Sequence, residues 1–291
     1  MQAQAESNVP TKVSTHDESA AAARPAAPPL PALSDLGEDL LRITPFQRLT
    51  TLLTPFACLA LYLAFASHRL WPLAVLTLMY LSFATYGSIS HDLVHRTLGL
   101  PRRVNDFFLT VIELFAFRSG HAYRLAHLHH HARFPHEDDI EGAAAKMSLP
   151  RTLLEGMIFQ PRIMLWAAAR HGRSHPVVIV EMVLVALLLA ACFASAAWTP
   201  VFAVYAVLMV MGSWVIPLVT SYVPHDPAGT TMLSQTRLFR GKVASVVALE
   251  HLYHLEHHLY PAVPHHNWPK LARRLDPYFK SAGLTPVVLG F

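Results

Sequence analysis

Nine of the 19 histidines of this chain stand in three short groups. The groups are His91–His95 (HDLVH), His127–His131 (HLHHH) and His254–His258 (HLEHH). In a helix, residues at i, i+3 and i+4 share one face, so each group can direct two or three imidazoles at a common point. Imidazole suits zinc, copper, iron and nickel, and this many imidazoles exceed what one ion needs, which predicts two metal ions of unnamed element. The imidazoles that share these faces belong to His91, His95, His127, His130, His131, His254, His257 and His258.

The composition identifies an integral membrane protein. Hydrophobic residues make up 53% of the 291 residues and charged residues only 14%, whereas soluble domains carry roughly 25% charged residues. The mean hydropathy is +0.33. These values exclude a disordered protein, and two cysteines, Cys58 and Cys192, are too few for a disulfide scaffold.

Four apolar runs approach the length of about 20 residues that a bilayer span needs. Only Ser67–Arg69 joins the first pair and only Thr199–Pro200 joins the second, so each pair is predicted to form a helical hairpin. Of 23 Lys and Arg residues, Arg69 alone lies in a hairpin turn, and the positive-inside rule makes the opposite face cytoplasmic. The pI of about 9.2 therefore reflects topology and does not indicate nucleic-acid binding. The runs are Leu52–Ser67, Leu70–Ser90, Val177–Trp198 and Val201–Val223.

The remaining segments complete the predicted architecture. Residues 1–36 are rich in Pro and Ala and are predicted to be a disordered cytoplasmic tail, because they cannot bury enough apolar surface to offset their ordering entropy. Residues 37–291 form the membrane domain. Phe107–Phe117 and Leu149–Ala169 predict helices in the membrane interface, and a further helix is predicted over about Lys242–Leu259. The fold class is all-α: two transmembrane hairpins, interfacial helices and a histidine-rich cytoplasmic cap.

The order and spacing of the histidine groups resemble those of the membrane fatty acid desaturase superfamily. The resemblance extends over roughly residues 45–275 and is most detailed over Tyr253–Pro261 (YHLEHHLYP), which resembles the family's third histidine box almost letter for letter. It implies that the cap holds a non-haem di-iron centre, with two iron ions and with O2 as co-substrate. It also implies an external electron donor and attack on an unactivated C–H bond of a lipid.

The family usually has a further histidine between the second hairpin and the third box, and the resemblance assigns this place to His225. In acyl-CoA desaturases an Asn often stands four residues earlier and holds an ordered water near one iron. Here Ser221 occupies that position, so this contact is expected to differ. The run Tyr222–His225 (YVPH) and the acidic stretch Pro135–Asp139 (PHEDD) are closer to the carotenoid hydroxylase and ketolase branch. The resemblance therefore identifies the superfamily and leaves the branch open.

Acidic side chains beside the histidine groups are candidates for orienting the ligands. A carboxylate that accepts the N–H of a ligand imidazole fixes the ring and its tautomer. The same side chains fit equally well as solvated surface charges, and both interpretations stay open. The candidates are Asp92, Asp138, Asp139 and Glu256.

Other polar residues stand near the groups or within apolar runs. His129 belongs to the second group but points to another helix face, so we expect no direct ligand role for it. His251 lies one turn before His254, and a solvated helix position is the favoured interpretation. Glu113 and Glu181 lie within apolar segments, where a carboxylate is costly and indicates a function unless it reaches the membrane surface.

Three functional hypotheses follow. The first is an O2-dependent fatty-acyl or lipid desaturase, and the second is a carotenoid ring hydroxylase or ketolase with the same centre. A metal transporter is disfavoured, because its ligands would lie near the bilayer midplane, whereas these histidines stand at and beyond the ends of the spans. The sequence has no cytochrome domain, Cys-rich cluster motif or Gly-rich nucleotide motif, so the electron donor is expected to be a separate ferredoxin- or cytochrome-type protein. The histidine groups and both termini are expected on the cytoplasmic side.

Overall fold

The computed structural model describes residues 28–241 and 251–289. This part of the chain is almost entirely helical, and four of its helical segments are long and apolar enough to cross a membrane. The predicted all-α, four-span membrane fold is therefore confirmed. The four spans are Glu38–Ser67, Trp71–His95, Val177–Ala197 and Val201–Tyr222.

The described elements follow one another with short connections. Two strands, β1 (Phe239–Arg240) and β2 (Val287–Val288), form one parallel pair. Two π-helical turns, Thr85–Ile89 and Leu218–Tyr222, lie within the second and fourth spans. In chain order the α-helices are α1 (Leu33–Leu36), α2 (Pro45–Ser67), α3 (Trp71–Ala84), α4 (Ser90–His95), α5 (Arg102–Phe115), α6 (Gly120–Arg133), α7 (Leu149–His171), α8 (Val177–Ala194), α9 (Val201–Gly212), α10 (Met232–Gln235), α11 (His254–Leu259) and α12 (Trp268–Ser281).

The first hairpin consists of α2 and the continuous span from α3 to α4. α2 begins with a capping box, in which Thr44 Oγ1 accepts from the N–H of Gln47 at 3.2 Å and Gln47 Oε1 accepts from the N–H of Thr44 at 3.0 Å. The chain reverses through Arg69, whose φ of 58° lies in the left-handed region. α3 then runs through the first π-helical turn into α4, so the first histidine group stands at the end of a span.

The second hairpin consists of α8 and the span that begins with α9. α8 is the more lipid-facing of these helices, since only 17% of the apolar window of Val177–Ala197 is buried, against 61% for Trp71–His95. The span that carries the first histidine group is therefore the central one, and it packs between α2 and α9.

The segment between the hairpins forms α5, α6 and α7. α5 buries Leu109 and Ile112 and exposes the apolar side chains of Val104 and Phe107. α7 likewise exposes a row of apolar side chains that includes Leu154. Neither helix is among the described spans, as expected of interfacial helices. α6 packs against α5, α7 and α8 and so occupies the centre of this layer.

The C-terminal cap is built on α11 and α12 and is covered by the beginning of the described chain. Leu36 and Leu40 are buried with Leu271 in one apolar cluster. Tyr260 Oη donates to the carbonyl of Pro31 at 2.7 Å, which fastens the chain before α1 to the cap.

The packed part of the chain extends beyond the predicted boundary of the tail. Residues 28–36, assigned to the tail from the sequence, pack on the cap, so the packed part of the chain begins before residue 37. Residues 1–27, the rest of that tail, and residues 242–250, which begin the helix predicted over Lys242–Leu259, lie outside the described residues.

The paired spans lead to a test of orientation. Reporter fusions after Arg173 and at the C-terminus should report the cytoplasm, because the basic residues crowd that face. A fusion at Ser67, in the turn of the first hairpin, should report the opposite side. A cytoplasmic signal from Ser67 together with an external signal from Arg173 would contradict this topology.

Candidate metal centre

Nine histidines converge on two adjacent points in the described part of the chain. Within each group one ligand atom of every member lies within 4.8 Å of those of the others. These nine are the histidines that the sequence predicted as ligands, including His225. These two spatial groups differ from the three short groups in the sequence. The first spatial group comprises His91, His95, His127, His131 and His257, and the second comprises His130, His225, His254 and His258.

Two elements supply both groups, and two supply only one group each. α4 contributes only to the first group, and the segment after the second π-helical turn contributes only His225, to the second. α6 and α11 each contribute to both groups. On α6, His127 and His131 are one turn apart at i and i+4 and aim at the first point, whereas His130 aims at the second. The division into five and four was not predictable from spacing alone.

The nitrogen atoms of the first group are closely spaced. His257 Nε2 lies 3.0 Å from His91 Nε2 and 2.8 Å from His131 Nε2, and His131 Nε2 lies 3.1 Å from His127 Nε2. Nitrogen ligands that bind one ion at about 2.0–2.1 Å and about 90° apart stand about 3.0 Å from each other. The ring of His95 is 4.7 Å from that of His91, and its Nε2 is buried with no hydrogen-bond partner in the described residues.

The second group is arranged around His225. Its Nε2 lies 3.2 Å from the Nε2 of His130, 3.2 Å from that of His258 and 3.3 Å from that of His254. His254 and His258 are themselves 3.1 Å apart, one helical turn from each other on α11. His225 is fully buried, so it is not a solvated loop residue.

The hydrogen-bond partner of Nδ1 determines whether Nε2, the nitrogen that faces the other rings, carries a proton or a lone pair. His130 Nδ1 lies 2.7 Å from Asp139 Oδ2, and His225 Nδ1 lies 3.1 Å from the carbonyl oxygen of Ser221. Both partners only accept, so each Nδ1 carries the proton and each Nε2 of a neutral ring presents a lone pair. Two lone pairs that face each other at 3.2 Å, as on His130 and His225, repel unless a cation, either a proton or a metal ion, lies between them. The residues present therefore fit a metal ion.

Burial keeps most of these rings neutral. It lowers the pKa of His131, His257 and His258 well below the usual value, and the neighbouring imidazoles lower it further. His225 follows the same pattern, with burial first and His130 second. For His130, burial opposes protonation, but the hydrogen bond and charge of Asp139 outweigh it and raise the pKa. Neutral imidazole is the form that binds metal.

Asp139 and Glu141 orient two of the ligands. Asp139 accepts from His130, and the backbone N–H of Gly142 donates to its other oxygen at 2.9 Å. A Cβ on Gly142 would lie 2.1 Å from Asp139 Oδ2, so only glycine fits against this carboxylate. Glu141 accepts from His127 Nδ1 at 3.1 Å and from Tyr86 Oη at 3.2 Å. The sequence predictions missed Glu141, although it extends the acidic stretch that follows His127–His131 in the sequence.

Among the described contacts, the side chains of the other predicted orienting residues Asp92, Glu256 and Ser221 bond no ligand ring. Asp92 is buried, but it accepts from the N–H of His265 at 3.0 Å and pairs with the His265 ring at 2.6 Å. Glu256 is buried beside Arg240 at 2.7 Å, and burial raises its pKa to about 6 despite that charge. Ser221 is linked to the centre through its carbonyl oxygen, and its hydroxyl accepts from the N–H of Ala145 at 3.1 Å.

Asp138 and His129 form a pair outside both groups. His129 Nε2 lies 3.2 Å from the carbonyl oxygen of Asp138 and its ring stands beside Trp166. The Asp138 carboxylate bonds Arg133 at 3.1 Å. His129 therefore faces away from the metal-binding groups, as its helix position predicted. The side chain of His251 lies outside the described set, so its predicted role stays a prediction.

An apolar cavity shares part of its lining with a small cavity beside the histidines. It has a volume of about 740 Å³, lies between α3 and α9, and has no charged side chain in its lining. Met79 and Met211 line it and are exposed, which places its mouth on the lipid-facing surface. At its other end, Tyr86 and Thr220 also line a small cavity against His127 and other ligands.

Comparison with known families gives one match. The family model described as fatty acid desaturase matches residues 69–288, which include all nine converging histidines and both π-helical turns. A search of curated proteins gives no match.

The position of His225 generates a specific expectation. His225→Ala should leave the protein folded and membrane-inserted but weaken one of two metal sites by at least about 10–100-fold, because even partners that orient ligands contribute that much. His129→Ala is the control and should keep its metal, since His129 lies in neither group. Metal analysis after dialysis measures both variants. Full metal content in His225→Ala would remove it from the ligand set.

Glu141 can be tested against Asp138, a partly buried acidic residue of the same loop. Glu141→Gln should reduce metal affinity by about 10-fold, because the amide accepts the His127 proton less strongly than the carboxylate does. Asp138→Asn changes an acidic residue in the same loop that contacts no ligand and should have no effect. Equal affinities for the two variants would contradict the orienting role of Glu141.

Proposed function

Because the chain belongs to the fatty acid desaturase family, whose members are oxidoreductases, we propose that it is an O2-dependent di-iron enzyme acting on C–H bonds of a lipid. The most direct form of this activity is the desaturation of a fatty-acyl or other lipid chain. One observation carries the proposal: the two converging imidazole groups lie against a small cavity that shares Tyr86 and Thr220 with an apolar cavity open at the lipid-facing surface.

The nine histidines would hold the two iron ions, five on one and four on the other. Iron is among the metals that imidazole suits, and the family is typically iron-dependent. When bound, the iron pair supplies the capacity to activate O2 for attack on a C–H bond. The protein orients two of the rings through Asp139 and Glu141, and burial of five of the nine histidines limits the access of water.

The cavity supports an apolar chain as substrate. With no charge in its lining, it favours the hydrocarbon part of a lipid that enters sideways from the bilayer. Tyr86 and Thr220 stand where this cavity meets the histidines, so they would set which carbon faces the centre. The hydroxyls of both are turned to protein acceptors, Glu141 Oε1 and the carbonyl of Ile216, so neither spends its donor on the substrate.

A carotenoid ring hydroxylase or ketolase is the second candidate. Tyr222–His225 (YVPH) favours it, because this run holds a residue of the second imidazole group and resembles that branch of the superfamily. In either case we expect a separate electron donor protein to dock on the cytoplasmic side, where the proposed topology places the histidines and the basic residues.

Product analysis tests the proposal and separates the candidates. The chain is expressed in a host that makes both membrane lipids and carotenoids, with and without O2, and total lipids and pigments are extracted. A desaturase gives an O2-dependent double bond in acyl chains, and the second candidate gives oxygenated carotenoids. O2-dependent change in neither fraction would contradict the proposed function.

The cavity can be tested with a matched pair of variants. Val215 and Val207 are similarly exposed, at 45% and 43%, in the same span, but only Val215 lines the cavity. Val215→Trp should fill the mouth and lower turnover by about 10-fold or more, since small displacements of a substrate are costly. Val207→Trp should retain activity, and both variants should keep their metal. Equal turnover would show that substrate does not use this cavity.

A further inference from the structure

We propose that Glu113 and Glu181, the two carboxylates buried in apolar segments, are positioning residues that each align one ligand-bearing helix. The inference rests on the proposed two-metal centre and assigns no contact with metal or substrate to either residue. A buried carboxylate is costly unless it is paired, so each needs a reason to be retained. Their contacts supply one.

Glu113 forms a buried ion pair with Arg118. Arg118 Nε donates to Glu113 Oε2 at 2.8 Å and Arg118 Nη2 donates to Glu113 Oε1 at 2.9 Å. The side chains of Arg118 and Glu113 are 1% and 0% exposed, so the pair is closed to solvent. The geometry is that of a fixed fork, which holds its neighbours in place as well as its partner.

The Glu113–Arg118 pair forms hydrogen bonds at both ends of the first π-helical turn. Arg118 Nη2 donates to Thr85 Oγ1 at 2.7 Å, and Ser90 Oγ donates to Glu113 Oε1 at 2.5 Å. Between these contacts the guanidinium lies 5.2 Å from the centre of the Tyr86 ring. Ser90 directly precedes His91, so the ion pair sets the rotation of α4 and the direction of its two ligands. π-helical turns are irregular and need such contacts to hold one geometry.

Glu181 acts in the same way on α6. From the span α8 its carboxylate accepts from Ser119 Oγ at 2.6 Å, from the backbone N–H of His121 at 3.0 Å and from Thr110 Oγ1. Ser119 is the N-cap of α6 and also accepts from the N–H of Ala122 at 3.0 Å. A carboxylate at a helix N-terminus is favoured by the helix dipole, and here it fixes where α6 begins.

The two residues should therefore affect the metal sites differently. α4 supplies ligands only to the first group, whereas α6 supplies both groups. Disconnecting Glu113 from α4 should weaken one metal site and spare the other. Disturbing Glu181 should weaken both. A merely stabilising role for either residue would not divide the sites in this way.

The test uses full-length apoprotein in detergent, titrated with Co²⁺, whose absorption reports on its ligands. Thr85→Val combined with Ser90→Ala removes the contacts to α4 and leaves the Glu113–Arg118 pair intact, so no unpaired charge is buried. Glu181→Gln disturbs the start of α6. Glu155→Gln is the control, because the described ion pair of Glu155 is with Arg162, at 2.8 Å within α7, and includes no metal-binding histidine.

We expect wild type and Glu155→Gln to bind two equivalents of Co²⁺. The double variant should bind one equivalent unchanged and the other about 10–100-fold more weakly, and Glu181→Gln should weaken both. Wild-type binding in the double variant, or equal loss of both sites in it, would overturn the inference for Glu113. Wild-type binding in Glu181→Gln would overturn it for Glu181. Fewer than two equivalents in wild type would instead contradict the proposed two-metal centre.

Discussion

The close approach of neutral imidazole nitrogens in a buried space is the constraint on which the rest of the structure depends. Around His225, three Nε2 atoms lie within 3.3 Å, and the proton of its own ring is used on the far side by a carbonyl oxygen. Without a cation such lone pairs repel, and with one they become ligands. The fold has to bring four chain segments together and hold them against this repulsion. Two metal ions would replace this repulsion between imidazole lone pairs with bonds from the same nitrogens to the metal.

The surrounding structure serves this requirement in layers. The spans deliver α4 and His225 to one membrane face, and the interfacial layer places α6 between them. Asp139 and Glu141 fix two rings through Nδ1 and bring negative charge that offsets part of the charge of the ions. The apolar cavity between α3 and α9 shares Tyr86 and Thr220 with the small cavity beside the centre. The proposed function would require a hydrocarbon chain and a soluble redox partner to reach the site from opposite sides.

Local pattern carries much of this architecture, and tertiary packing carries the rest. The four spans and the eight box histidines follow from hydropathy and from i, i+3 and i+4 spacing, which each segment contains by itself. The division of those histidines into two groups depends on how α6 and α11 cross, and no single segment records it. Asp92 adjoins a ligand in sequence but bonds His265, which folding brings to it from far along the chain. Glu141 orients a ligand for the same reason, through a loop whose path the sequence does not show.

The central claim is that the nine imidazoles form two iron sites. Iron analysis combined with X-ray absorption at the iron edge of purified, iron-loaded protein tests it most directly. We predict about two iron atoms per chain, each surrounded mainly by nitrogen at about 2.0–2.2 Å, with imidazole scattering beyond the first shell. Chelation should remove both iron atoms, and activity should be lost with them. An active preparation with one zinc ion and no iron would contradict the account.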